Sequence, residues 1–315
     1  MPQFTQHQFL ARQQNDASLH NHVLALGVQY RDNWYHVGTG CIIASNLMVT
    51  AKHLLEFMYF KVAGRRLDLY DPDAQNSPNG HSFNLPEGLG MDAFQFFHER
   101  RSLRRFSVQG YFKVGYKDCD LLLLLIEPHP LCPYREEPQE FDVPFLDLFP
   151  PSVGRTVNGF GYPDHPERPE SLLLQDFHSD YYLYHSTGVV EAINSEPRSA
   201  LQASYQTSMG TISGMSGGPV FTKRDIGNVC CGIISRGGTH ENPYSLVSPL
   251  WLLAGAQVPP VDNLPVRYGA TSLLDVMRSN QIKTIGIEHL DLIADDEHAE
   301  WITVCDDNRL RVDGY

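Results

Sequence analysis

Gly214-Met215-Ser216-Gly217-Gly218-Pro219-Val220-Phe221 is the stretch on which the reading of this chain turns. A serine set among glycines lets the backbone turn sharply, present a hydroxyl and aim amide N–H groups at one point. Two N–H groups that converge there stabilise the oxyanion that forms when a carbonyl is attacked. A serine hydroxyl is a weak nucleophile, so a base must stand near it, oriented by a third group. Working outward, Gly38-Thr39-Gly40-Cys41-Ile42-Ile43 precedes Val49-Thr50-Ala51-Lys52-His53-Leu54-Leu55, where His53 follows a strand and begins a helical turn. Asp120 directly precedes the apolar run Leu121 to Ile126, which reads as a fully buried strand. A carboxylate at the lip of such a strand is buried, and an imidazole N–H satisfies it.

These segments resemble those of the chymotrypsin-fold serine peptidases, the trypsin-like superfamily, in the order His, Asp, Ser. The resemblance is local but repeated, at Gly38 to Leu55, Asp120 to Ile126, Gly159 to Pro163, Gly214 to Phe221 and Gly232 to Gly238. It implies a catalytic triad of His53, Asp120 and Ser216 and an oxyanion hole of the Gly214 and Ser216 amides. Asp118 also flanks Cys119, but Asp120 abuts the strand as the family pattern requires. Gly232-Ile233-Ile234-Ser235-Arg236-Gly237-Gly238 resembles the strand that pairs with substrate and walls the specificity pocket. Ser235, Arg236 and Gly237 are thereby implied as substrate-binding. Gly210 stands at the pocket base, where trypsin has an acid, so the resemblance implies an uncharged preference at that pocket. The departures point to a bacterial intracellular type. Met215 replaces the acid that pairs with a newly cut amino terminus in secreted members, and the disulfide around the catalytic His has no counterpart. Control by a partner protein is therefore expected in place of zymogen cleavage, in a setting such as bacterial stress or phage defence.

Lys plus Arg number 24 and Asp plus Glu 37, so the formal net charge is 24 − 37 = −13, which disfavours nucleic-acid or anionic-membrane binding. No apolar run approaches the roughly 20 residues of a membrane span. Met1 to His20 is polar and lacks the apolar core of a secretory signal, so a cytoplasmic protein is expected. Six cysteines without a Cys-x-x-Cys read as reduced, buried thiols. His20-Asn21-His22 has no further ligands at a recognisable spacing, so neither a metal nor another cofactor is expected.

The expected architecture is all-β: two six-stranded antiparallel barrels of the chymotrypsin type with a small C-terminal α/β extension. The expected boundaries are a polar leader at 1–22, a first barrel carrying His53 and Asp120 at 23–127, and a linker at 128–150. A second barrel carrying Ser216 follows at 151–255, then the extension at 256–315. Within the first barrel, 71–105 reads as a long surface insertion because it holds Asn76, Pro78, Gly80, Pro86, Gly88 and Gly90. Its Arg100-Arg101-Ser102-Leu103-Arg104-Arg105 end reads as a solvated basic face. Phe60 to Leu69 and Phe106 to Val114 read as strands, Thr271 as the cap of a helix through Arg278, and 301–305 with 309–312 as a hairpin.

The expected function is a serine endopeptidase that cuts protein or peptide substrates through an acyl-enzyme. Two alternatives stand beside it. One is a catalytically silent binding module that keeps the barrels. The other is an α/β-hydrolase esterase, because Gly214 to Gly218 also satisfies Gly-x-Ser-x-Gly; that fold demands a strand before the serine and a helix after it.

Overall fold

The computed structural model describes residues 21–30, 33–55, 81–82, 89–97, 102–114, 120–130, 143–163, 183–194, 204–237, 244–258, 271–288, 302–304 and 310–312. The chain enters through β1 (Val23–Tyr30), β2 (Asn33–Ala44), β3 (Leu47–Ala51), β4 (His81–Ser82), β5 (Leu89–Phe97), β6 (Ser102–Lys113) and β7 (Leu121–Pro128). Six of these close a ring in the order β6-β5-β1-β2-β3-β7, with β7 returning to β6 and the short β4 added at β6. Every pairing in the ring is antiparallel.

Why β7 is apolar without alternation follows from where its two faces go. Leu122, Leu124 and Ile126 point into the first barrel with Leu24, Leu26, Ile42 and Met48. Leu121 and Leu123 point the other way, into a core shared with residues of the second barrel such as Phe160, Phe221 and Cys230. A strand buried on both faces has no position for a polar side chain. Full burial of each such leucine contributes about 1.5–3 kcal/mol before entropy is counted. β1 divides likewise, with Val23 and Ala25 on the shared core and Leu24, Leu26 and Val28 inside the barrel.

The second barrel is built from β9 (Thr156–Gly161), β10 (Tyr184–Asn194), β11 (Ser204–Thr207), β12 (Pro219–Arg224), β13 (Gly227–Gly237) and β14 (Ser245–Ser248), introduced by the short β8 (Leu146–Asp147). The ring runs β12-β9-β10-β11-β14-β13 and closes where β12 pairs with β13. Cys230 and Cys231 face opposite sides of β13, the first into the shared core and the second into the barrel interior with Val157, Tyr205 and Ile234. Beyond β14 come a 3-10 helix (Leu250–Gly255), β15 (Gln257–Val258), β16 (Thr271–Ser272), α1 (Leu273–Arg278) and β17 (Thr284–Ile285). β15 pairs with β16, and β17 lies parallel to β8, which itself lies parallel to β13. Leu273, Leu274, Val276, Met277 and Ile282 pack into the shared core. Strands β18 (Ile302–Val304) and β19 (Leu310–Val312) form the expected antiparallel pair. Among the described residues, no helix is long and apolar enough to cross a membrane.

Three local expectations are corrected. The segment 71–105 is not wholly an insertion, because β5 and the start of β6 lie in it. Met91 and Ala93 fill the barrel interior and Phe94 the shared core, so apolar placement outweighs the turn residues around them. The basic run is not simply a solvated face, since Arg105 Nε reaches the buried Asp92 carboxylate across the β5–β6 pair. Strand β11, Ser204 to Thr207, carries no apolar run in sequence; Tyr205 joins the apolar core beside the buried polar Ser204 and Thr207, and the pairing with β10 and β14 makes it a strand. Thr271 lies in β16 and α1 begins at Leu273. Phe60 to Leu69 falls outside the described residues.

Candidate active site

Two tight turns make the Ser216 segment. The Met215 amide donates to the Ile212 carbonyl at 3.1 Å, and the Gly218 amide donates to the Met215 carbonyl at 3.0 Å. Each turn has a glycine at its third position with positive φ, Gly214 at 90° and Gly217 at 84°. L side chains rarely adopt that conformation, so the Gly-x-Ser-Gly pattern is a backbone requirement before it is a chemical one. The Gly217 amide continues outward to the Ile234 carbonyl at 2.7 Å. The amides of Met215, Gly217 and Gly218 are thus engaged, whereas those of Gly214 and Ser216 donate to nothing among the described residues. Alternation along the chain leaves these two N–H groups, two residues apart, flanking the serine.

Thr39 of β2 holds this segment from the other barrel. Its amide donates to the Ser216 carbonyl at 2.9 Å and its hydroxyl to the Gly214 carbonyl at 2.8 Å. The same hydroxyl accepts the Tyr162 amide at 2.9 Å, and the Thr39 carbonyl accepts the Thr50 hydroxyl at 2.6 Å. Sequence reading quoted Thr39 only as part of a motif and gave it no role. Met215, between the two turns, is 2% exposed and joins the apolar interior of the second barrel.

His53 and Asp120 meet where β3 ends and β7 begins. His53 Nδ1 lies 2.8 Å from Asp120 Oδ2, and the His53 backbone amide donates to Asp120 Oδ1 at 2.9 Å. The imidazole is 39% exposed and the carboxylate 4%, so the ring opens to solvent on the side away from the acid. Ser235 supplies another partner, its hydroxyl donating to Asp120 Oδ2. Its side chain therefore faces the carboxylate, while its carbonyl lies 3.5 Å from the Ser216 hydroxyl. A bulge explains this: the β13–β14 register shifts between Ile234 and Arg236, which frees Ser235 from the ladder. The register of a bulge is not legible in a single sequence.

Of the other residues implied at the substrate strand, Arg236 is exposed and pairs with Leu246, and Gly237 pairs with Ser245. Gly210 is half-buried, between Met209, whose carbonyl accepts the Ser245 hydroxyl at 2.8 Å, and Thr211. Thr211, to which sequence reading gave no substrate role, stands against Gly237, 2.5 Å from a Cβ built there. After Ser216 the chain continues as β12, not as a helix, so the α/β-hydrolase alternative is excluded by the fold.

The trypsin-like peptidase domain family matches residues 38–232. Among solved structures, Deg5 aligns over 75% of this chain and 86% of its own at 18% identity, with a TM-score of 0.44. The protease Anisep from Arthrobacter nicotinovorans aligns over 73% and 90% at 12% identity, with a TM-score of 0.45. The thermostable serine protease AL20 from an extremophilic microorganism aligns over 74% and 93% at 13% identity, with a TM-score of 0.44. No curated protein matches the sequence. The chain belongs to the trypsin-like peptidase family and is a serine protease of the chymotrypsin fold.

Proposed function

We propose that this protease cuts peptide bonds by acyl transfer through Ser216, His53 and Asp120. Asp120 engages His53 Nδ1, which leaves Nε2 to take the Ser216 proton as Oγ bonds to the substrate carbonyl carbon. Nε2 then gives that proton to the leaving amine, and the acyl group stays on Ser216 as an ester. A water attacks the ester, its proton passing to Nε2 and on to Ser216 Oγ as the carboxylic product leaves. The amides of Gly214 and Ser216 receive the negative oxygen in both tetrahedral intermediates. The observation that carries this reading is the pair of unengaged amides beside Ser216, in a chain whose His53 is already bonded to Asp120. Among the described residues Ser216 Oγ meets the Ser235 carbonyl at 3.5 Å, long for an O–H···O bond, and makes no hydrogen bond to His53, so the transfer to Nε2 requires the hydroxyl to turn from that carbonyl to the ring.

Two features support control by a partner protein in a reducing, cytoplasmic setting such as bacterial stress or phage defence. Cys41, Cys230 and Cys231 are free and buried. Met215 offers no charge to a newly cut amino terminus, and apolar burial anchors it instead.

Replacement of Ser216 by Ala tests the reading. Hydrolysis of a proteome-derived peptide library falls by about 10⁴-fold or more while the melting curve is kept. Near-normal hydrolysis by purified Ser216→Ala protein contradicts it.

A further inference from the structure

Two stretches of chain wall the space beside the Ser216 hydroxyl. One is 209–213, which leads into the nucleophile turns. The other is the end of β13, whose Ser235 carbonyl lies 3.5 Å from Ser216 Oγ. A substrate carbonyl bonded to that hydroxyl, with its oxygen toward the Gly214 and Ser216 amides, directs the side chain on the acyl side of the cut between these walls.

Thr211 closes the gap. A Cβ built on Gly237 stands 2.5 Å from Thr211 Oγ1 and 3.1 Å from the Thr211 carbonyl oxygen, so the walls already touch there with no side chain at 237. Thr211 is tied in place from below. The fully buried Ser245 hydroxyl donates its one proton to the Met209 carbonyl at 2.8 Å. In the 3.0 Å contact between the two hydroxyls, Thr211 is therefore the donor and Ser245 the acceptor. The chain Thr211 to Ser245 to Met209 fixes the threonine rotamer where the two walls meet.

We propose that the walls leave only a short slot, closed where Thr211 meets Gly237, which restricts cleavage to peptides with a small uncharged residue, the size of alanine or serine, on the acyl side of the scissile bond. The inference rests on the protease reading above and adds the substrate class. A larger side chain meets Thr211 and Gly237 before its carbonyl reaches Ser216.

The test is kcat/KM for peptides that differ only at that residue, on the full chain, with a small fluorophosphonate mapped to Ser216 in the same preparation. The expected result is that alanine and serine exceed leucine, phenylalanine, lysine and arginine by about 10–200-fold. Thr211→Gly is expected to shrink that ratio at least tenfold by admitting leucine and phenylalanine. Labelling at Ser216 together with equal or better cleavage after large or charged residues overturns the slot and leaves the protease reading standing. A labelled Thr211→Gly protein with an unchanged ratio also overturns it. Absence of both labelling and peptide cleavage overturns the protease reading and the slot with it. Profiling of the unaltered protein decides the size preference even if Thr211→Gly does not fold.

Discussion

The Thr39 hydroxyl of the first barrel sits 2.8 Å from the Gly214 carbonyl oxygen of the second. Together with the Thr39 amide on the Ser216 carbonyl, it fixes the peptide planes that alternate with the two unengaged N–H groups. Placement of the proposed oxyanion donors is thus coupled to how the barrels pack. Thr39→Val keeps the shape but leaves the Gly214 carbonyl and Tyr162 amide without their partner, at a cost of about 1–3 kcal/mol. Its kcat is expected to fall about 10–100-fold with KM little changed, and Thr39→Ser to restore most of it. A valine variant equal to the unaltered protein in kcat contradicts the coupling.

Asp120→Asn tests the proposed orienting acid separately from the proposed nucleophile. Loss of the charge favours the wrong imidazole tautomer, and kcat is expected to drop by about 10⁴-fold with the fold retained. Single-turnover kinetics beside a thermal melt reads both. A tenfold loss or less argues that His53 is held by other means.

Burial raises the Asp147 carboxyl above the ordinary carboxylate value, while the Arg224 guanidinium, 2.5 Å away, pulls it back down. Asp147 therefore holds its proton more firmly folded than unfolded, and its contribution to stability falls as pH rises from about 4 through its folded value. Arg224→Met removes the compensating charge and raises Asp147 further. The substitution is expected to cost about 1–3 kcal/mol at pH 7, less than a fully buried pair because the Arg224 side chain is 36% exposed. The cost shrinks as the pH falls through the folded value of Asp147. Urea melts over a pH series from 7 down to 3 measure it, and a pH-independent loss contradicts the assignment.

Burial also pushes the Cys230 and Cys231 thiols well above their ordinary range. Since the thiolate is the reactive form, iodoacetamide at pH 8 is expected to leave both unmodified until denaturant is added. Peptide mapping that finds either alkylated in native protein contradicts their burial.

Much of this was legible because the chemistry imposes backbone geometry. Gly214 and Gly217 mark positive φ, Asp120 precedes a doubly buried strand, and His53 follows β3. What the sequence concealed depends on register and on contacts distant along the chain. The bulge that turns Ser235 toward Asp120, the reach of Thr39 to Gly214 and the meeting of Thr211 with Gly237 leave no local pattern. β5 was hidden for a related reason, because Gly88 and Gly90 read as loop until the pairing with β1 gives Met91 and Ala93 an interior to fill.

The segment after β15 is expected to brace both barrels, since Leu273, Val276, Met277 and Ile282 are buried in their shared core and β17 extends the second sheet through β8. Deletion of 259–315 uncovers that surface. The truncated chain is expected to aggregate or to melt more than about 10 °C lower, several kcal/mol for a domain of this size. A soluble truncation with unchanged melting assigns the segment no bracing role.

The most direct measurement of the central claim is mass mapping of the adduct formed with a fluorophosphonate, which reacts fastest with an activated serine. The account predicts one adduct per chain, on Ser216, lost in His53→Ala and in Ser216→Ala. An adduct on another serine, or full labelling of Ser216 without His53, contradicts it.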